Sequence, residues 1–164
     1  MTGFKENAQK IANALGIISD DFEAVGIYAW PAIMQKIERA FVKKENSNTK
    51  FNWWWESFKG TQFQISFEQD NAFEFLDQLI DYEEKVWFVA CDSYHDPSKF
   101  WLFQGYIKPI QKVIAELPYF EYYIISKKYE WLVCENHHGI LIGLGNMVSR
   151  MEEFKIKTTW PNMA

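Results

Sequence analysis

The last third of this 164-residue chain constrains the fold most, because three apolar segments follow one another there with almost nothing between them. Tyr119 to Ser126, Glu130 to Glu135 and Ile140 to Leu144 are rich in aromatic and β-branched residues, which suit a pleated surface. The connections Lys127 to Tyr129 and Asn136 to Gly139 fit hairpins, and Gly139 suits a left-handed position closing the second. A three-stranded meander is expected. Its middle strand, Trp131-Leu132-Val133-Cys134-Glu135, is apolar on both faces until its end, so the sheet needs cover on both sides.

The preceding sequence supplies helices for that cover. Phe4, Ala8, Ile11, Ala12 and Leu15 fall at helical spacing, with Gly16 as the stop. Ser19, Asp20 and Asp21 suit a short capped turn, and Pro31 opens a helix through Phe41 with Ile33, Ile37, Ala40 and Phe41 inward. The polar stretch Lys43 to Lys50 reads as a loop separating a helical hairpin from the rest. A short helix carries Trp53, Trp54 and Trp55 and stops at Gly60, and the alternation of Phe63, Ile65 and Phe67 with polar residues gives a half-buried strand. A helix over 72–81, a strand from Lys85 to Cys91 with a turn-rich exit at Asp92 to Ser98, and a helix from Gly105 to Leu117 follow, the last with Pro109 in its first turn. Glu152 to Lys155 reads as a short polar tail element. The expected class is α+β: a single domain with a mixed, largely antiparallel sheet ending in the meander and packed against several helices. Within it, 1–42 form a helical part, 51–145 the sheet and its helices, and 146–164 a tail.

At this length a hydrophobic core needs no disulfide or structural metal, and no cofactor is expected. Aromatic residues are 18% of the chain, with eight Trp, so that core is built largely from rings. The first twenty residues lack the apolar run of a secretory signal, and the apolar stretch at Gly139 to Gly145 is too short to span a bilayer. A cytoplasmic protein with no membrane partner is expected, its two cysteines, Cys91 and Cys134, buried as thiols.

Net charge is −5, which argues against nucleic acid as a partner, since neutralising phosphates takes clustered Lys and Arg. One segment holds the excess. From Gly60 to Glu84 there are seven acids and no Lys or Arg, leaving 15 acids against 17 bases elsewhere. On a helix with Phe73, Leu76, Leu79 and Ile80 inward, Glu74, Asp77 and Asp81 form an outward acidic stripe. Such a stripe is either a solvated face or a dock for a basic protein, with Tyr94, Trp101 and Phe103 as an aromatic rim.

All three histidines lie at two strand exits of related pattern, Cys91-Asp92-Ser93-Tyr94-His95 and Cys134-Glu135-Asn136-His137-His138. Were the two strands parallel neighbours, Cys91, His95, Cys134 and His138 would offer two thiolates and two imidazoles to zinc. A second reading makes Asp92, His95, Glu135, His137 and His138 an acid–base cluster. Adjacent histidines on an extended strand point to opposite faces, so His137 and His138 serve one site only if the turn bends them together. A third reading is structural, with Glu135, Asn136 and the histidines satisfying backbone groups of a tight turn.

The segment Glu121-Tyr122-Tyr123-Ile124-Ile125-Ser126-Lys127-Lys128-Tyr129-Glu130-Trp131-Leu132-Val133-Cys134-Glu135-Asn136-His137-His138-Gly139 resembles a family of small uncharacterised bacterial proteins with a tyrosine-rich strand, a Lys-Lys turn and an E-N-H-H signature. The resemblance implies a bacterial cytosolic setting and assigns no residue a catalytic role. In size, acidity and α+β order alone, the chain is also similar to immunity proteins that neutralise bacterial toxins. Three functions follow as expectations: an immunity-like, non-enzymatic domain binding a basic protein; a small hydrolase or metal-binding enzyme using the histidine cluster; and an oligomer subunit joined through the Trp triplet.

Overall fold

A computed structural model describes residues 3–43, 54–91 and 100–159. Its framework is a seven-stranded sheet in the order β1-β4-β3-β5-β6-β7-β2. The strands are β1 (Phe22–Ala24), β2 (Gln62–Ser66), β3 (Val86–Cys91), β4 (Phe100–Gly105), β5 (Glu121–Ser126), β6 (Trp131–Glu135) and β7 (Ile140–Gly145). Every pairing is antiparallel, and β5, β6 and β7 form the expected meander. All residues of β5 and β6 are buried, as strands covered on both faces must be.

The helices divide between the faces. On one face, Ala8 and Ala12 of α1 (Phe4–Ala14) share a core with Ile110 and Val113 of α3 (Ile107–Glu116) and Met147, Met151 and Phe154 of α4 (Met147–Thr159). The 3-10 helix Ala72–Gln78 joins them through Ala72 and Leu76. On the other face, Met34, Ile37 and Phe41 of α2 (Trp30–Phe41) pack against Val89, Tyr123, Leu132 and Cys134. Since α1 and α2 lie on opposite faces, with β1 at the sheet edge between them in sequence, the N-terminal region is no helical hairpin.

Four elements differ from the sequence reading. β1 and β4 were not anticipated, and β4 places Phe103 in the core at 0% exposure. The tail is the 13-residue helix α4, whose Met147, Met151 and Phe154 sit at i, i+4 and i+7. The acidic segment is a 3-10 helix rather than an α-helix. Trp53 and the side chains of Trp54 and Trp55 lie outside the described residues; the backbone of Trp54–Ser57 is a 3-10 turn.

The end of the meander's last strand depends on a residue without a side chain. Gly145 has φ 62°, and a Cβ there would lie 2.2 Å from the carbonyl oxygen of Glu130. Gly145→Ala should therefore lower stability by about 2 kcal/mol or more, combining left-handed strain with a backbone clash. Urea denaturation measures this, and an unchanged midpoint would show that the strand end moves aside freely.

Candidate functional site

The polar groups of the sheet converge at one end of β5. Alternation along Glu121-Tyr122-Tyr123 turns Glu121 and Tyr123 toward α2 and Tyr122 toward the opposite core. Tyr123 Oη donates to Glu121 Oε2 at 2.6 Å along the same face. Tyr122 lies directly across from Glu135 on β6 and donates to its Oε1 at 2.7 Å. Two carboxyl–phenol pairs thus stand back to back through one sheet, their carboxylates 0% and 2% exposed.

Burial governs their acidity. Desolvation pushes the Glu135 carboxyl up to about 7, against the opposing pull of the Tyr122 hydrogen bond. It also raises Glu121, where hydrogen bonds from Tyr123 and His137 work the other way. The Tyr122 and Tyr123 phenols are driven well above their usual range by burial and by the adjacent carboxylates. The Cys134 thiol is raised by burial and then by Glu121 and Glu135, so it is held as an inert thiol.

The turn after β6 completes the arrangement. Asn136, 1% exposed, accepts at Oδ1 from the backbone N–H of His138 at 2.9 Å and of Ile140 at 3.1 Å. Gly139 takes φ 74°. Tyr119 Oη donates to Asn136 O at 2.6 Å. This turn bends the two histidines together, their ring centroids 4.0 Å apart. His137 reaches Glu121: its backbone N–H lies 3.3 Å and its Nδ1 3.4 Å from Glu121 Oε1.

The candidates named from sequence are only partly united by this geometry. Cys91 and Cys134 are both buried and outside any disulfide, and both belong to the α2 side of the sheet. Their strands β3 and β6 run parallel, but β5 lies between them, setting the backbones roughly 9–10 Å apart. Across β5, Cys91 faces Glu121 and Cys134 faces Tyr123, so the two are also offset by two residues, about 7 Å along the strands, and lie on a diagonal longer than two cysteine side chains sharing one zinc at ~2.3 Å per bond can span. Among the described residues no three His, Cys, Asp or Glu side chains are placed to hold a metal. Glu135 meets Tyr122 on one face, whereas His137 meets Glu121 on the other, so Glu135 and His137 do not form an acid–base pair. Asp92, Tyr94 and His95 lie outside the described residues.

The acidic stripe is exposed at Glu74, Asp77 and Asp81. With three residues per turn, a 3-10 helix eclipses Glu74 and Asp77, while Asp81 follows in a turn and accepts at Oδ1 from the Glu83 N–H at 2.9 Å. Among the described residues, Glu74, Asp77, Asp81, Glu83 and Glu84 form no ion pair. Beside them Tyr82 is 64% exposed, on a shallow groove that also takes in Asp20, Asp21, Glu83 and Lys108; Lys108 Nζ lies 5.8 Å from the Tyr82 ring centroid, and Asp20 pairs with Lys85 at 3.1 Å. Of the aromatic rim, Trp101 is half-buried and Phe103 fully buried, which withdraws Phe103 from any contact with a partner.

Glu121, Tyr122, Tyr123 and Tyr82 were not singled out from sequence. A signal for the first three was present: once the hairpin fixes the β5–β6 register, Tyr122 faces Glu135.

A family of unknown function, DUF6756, matches residues 1–155. The chain belongs to this family. The match extends well beyond the segment that carries the E-N-H-H resemblance and takes in both carboxyl–phenol pairs and the acidic segment of this chain. No curated protein and no solved structure matches the chain. Among the described residues, no helix is long and apolar enough to cross a membrane.

Proposed function

We propose that the chain is a non-enzymatic binding domain that docks a basic protein on its acidic flank. Glu74, Asp77, Asp81 and Glu83 supply the charge, Asp21 extends it, and Tyr82 is the anchoring side chain in place of Phe103. One observation carries the reading: among the described residues Glu74, Asp77, Asp81 and Glu83 form no ion pair, and the largely exposed Tyr82 ring shares a groove with Asp21 and Glu83. An acidic field of this kind speeds encounter with a cation-rich surface, and a Tyr beside it is a common anchor of binding energy. In this reading the partner is a bacterial toxin, the class that immunity proteins of similar size and acidity neutralise. The setting is the bacterial cytoplasm implied by the E-N-H-H resemblance.

The test is affinity capture at low salt, followed by kinetics with the recovered, identified partner. Raising salt from 50 to 500 mM should weaken binding, and replacing Glu74, Asp77 and Asp81 together by Lys should slow association by about tenfold or more. Tyr82→Ala should speed dissociation. Affinity indifferent to salt and to the triple reversal would remove the proposal.

A further inference from the structure

A cleft of about 200 Å³ opens between the 3-10 helix Ala72–Gln78, the end of α3 and the end of the β5–β6 pair that carries Tyr122 and Glu135. Glu135 and Tyr122 are polar groups lining it, Phe73, Tyr119 and Phe120 supply aromatic surface, and Asp70 adds a second carboxylate. Among the described residues, no Lys or Arg lines it. Glu135 is 2% exposed, and its Oε1 accepts from Tyr122; its Oε2 accepts from no described donor and is not one of the fully buried unpaired atoms, so it is the oxygen left to meet a ligand. A largely desolvated carboxylate gains a strong, charge-assisted hydrogen bond from a cationic donor entering the cleft.

The remaining features select the cation. Two carboxylates beside aromatic rings suit an organic ammonium or guanidinium, which takes charge-assisted hydrogen bonds from one side and ring faces from the other. The volume falls below the ~300–1,000 Å³ typical of pockets for larger ligands, so it admits a single charged head and a short stem. Asp70 reaches over the turn because Gly139 has no side chain: a Cβ there would lie 2.8 Å from Asp70 Oδ1.

We propose that this cleft is a binding site for a small organic cation, an alkylammonium or alkylguanidinium group, with Glu135 and Asp70 as its anionic partners and the rings of Phe73, Tyr119 and Phe120 as its wall. The group is carried either by a free amine or by a Lys or Arg side chain of another protein. The inference stands apart from the docking reading, since none of Glu74, Asp77, Asp81 and Tyr82 lines the cleft.

The full chain is titrated by heteronuclear NMR with butylamine, N-acetyl-lysine amide, N-acetyl-arginine amide and the neutral N-acetyl-citrulline amide. Saturable shifts at cleft residues are expected for the cations, with affinity at least about tenfold above that for citrulline amide. Binding to butylamine alone assigns the site to free amines, whereas equal binding of the capped residues assigns it to a protein side chain. The titratable groups facing Glu135 are Asp70, Tyr119 and Tyr122, and the Glu135 carboxyl is raised to about 7 by burial. Cation affinity should therefore be about tenfold weaker at pH 6 than at pH 8, as the carboxylate takes up its proton. Glu135→Gln should lose about tenfold in affinity. Asp70→Asn should also weaken binding, and Asn tolerates the φ of 52° found at that position, so this variant separates lost binding from lost folding. Lys at 74, 77 and 81 should leave small-cation binding intact, which separates this test from the docking one. No saturable shift with any cation, equal binding of citrulline amide, or unchanged affinity in Glu135→Gln would overturn the proposal.

Discussion

Phe88→Ala should lower the unfolding free energy by about 3–5 kcal/mol, a large part of the ~5–15 kcal/mol that holds a domain of this kind folded. Phe88 is 0% exposed on β3, near the middle of the sheet. Its ring centroid lies 6.3 Å from Phe22, 5.9 Å from Phe103, 6.2 Å from Phe120 and 6.0 Å from Tyr122. Those rings come from β1, β4, the approach to β5 and β5 itself, so one deletion leaves a void bordered by four segments that cannot all close in. Tyr28→Ala is the control, since Tyr28 is 97% exposed and its loss should stay within about 0.5 kcal/mol. Guanidinium denaturation of both variants decides the matter. A loss below 1 kcal/mol for Phe88→Ala would show that the rings do not form a closed core.

The second large effect concerns pH. The Glu135 carboxyl rises from 4.5 to about 7 on folding, so the native state holds its proton over a range in which the unfolded chain has released it. The resulting stabilisation is complete below about pH 4.5 and is lost as pH climbs through 7. At about 1.4 kcal/mol per pH unit it is on the order of 3 kcal/mol. Glu121, raised in the same sense, adds to the slope. The wild-type chain should thus be more stable near pH 5 than near pH 8, contrary to the usual behaviour of salt-bridged carboxylates. Glu135→Gln keeps an acceptor for Tyr122 Oη and removes the titration, so it should flatten the profile and raise stability above pH 7. Melting temperatures of both proteins from pH 4.5 to 8.5 measure this, and parallel profiles would remove Glu135 as the cause.

What the sequence revealed depended on how strongly each element is patterned. The meander was legible because Lys127 to Tyr129 and Asn136 to Gly139 leave no room for another connection, and α1 because Gly16, at φ 74°, ends a clean apolar stripe. β4 was hidden because Phe-Trp-Leu-Phe-Gln has no alternation, being half-buried or buried throughout. In α4 the charges of Arg150, Glu152, Glu153, Lys155 and Lys157 masked the spacing of Met147, Met151 and Phe154. The site was harder still. A buried Glu runs against expectation, so nothing in the sequence singled out Glu121 as the acceptor for Tyr123 and His137. His137 and His138 were correctly treated as divergent unless the turn intervened, and it does, through Asn136 Oδ1.

The outermost position of β2 has a consequence for biosynthesis. Among the described residues its one neighbour in the sheet, β7, begins at Ile140, whereas β2 ends at Ser66. On a ribosome adding about 5–20 residues per second, β2 emerges roughly 4–15 s before anything can pair with it. Throughout that interval Phe63 and Ile65 are presented to the cell without shelter, and a nascent-chain chaperone has a defined window in which to act.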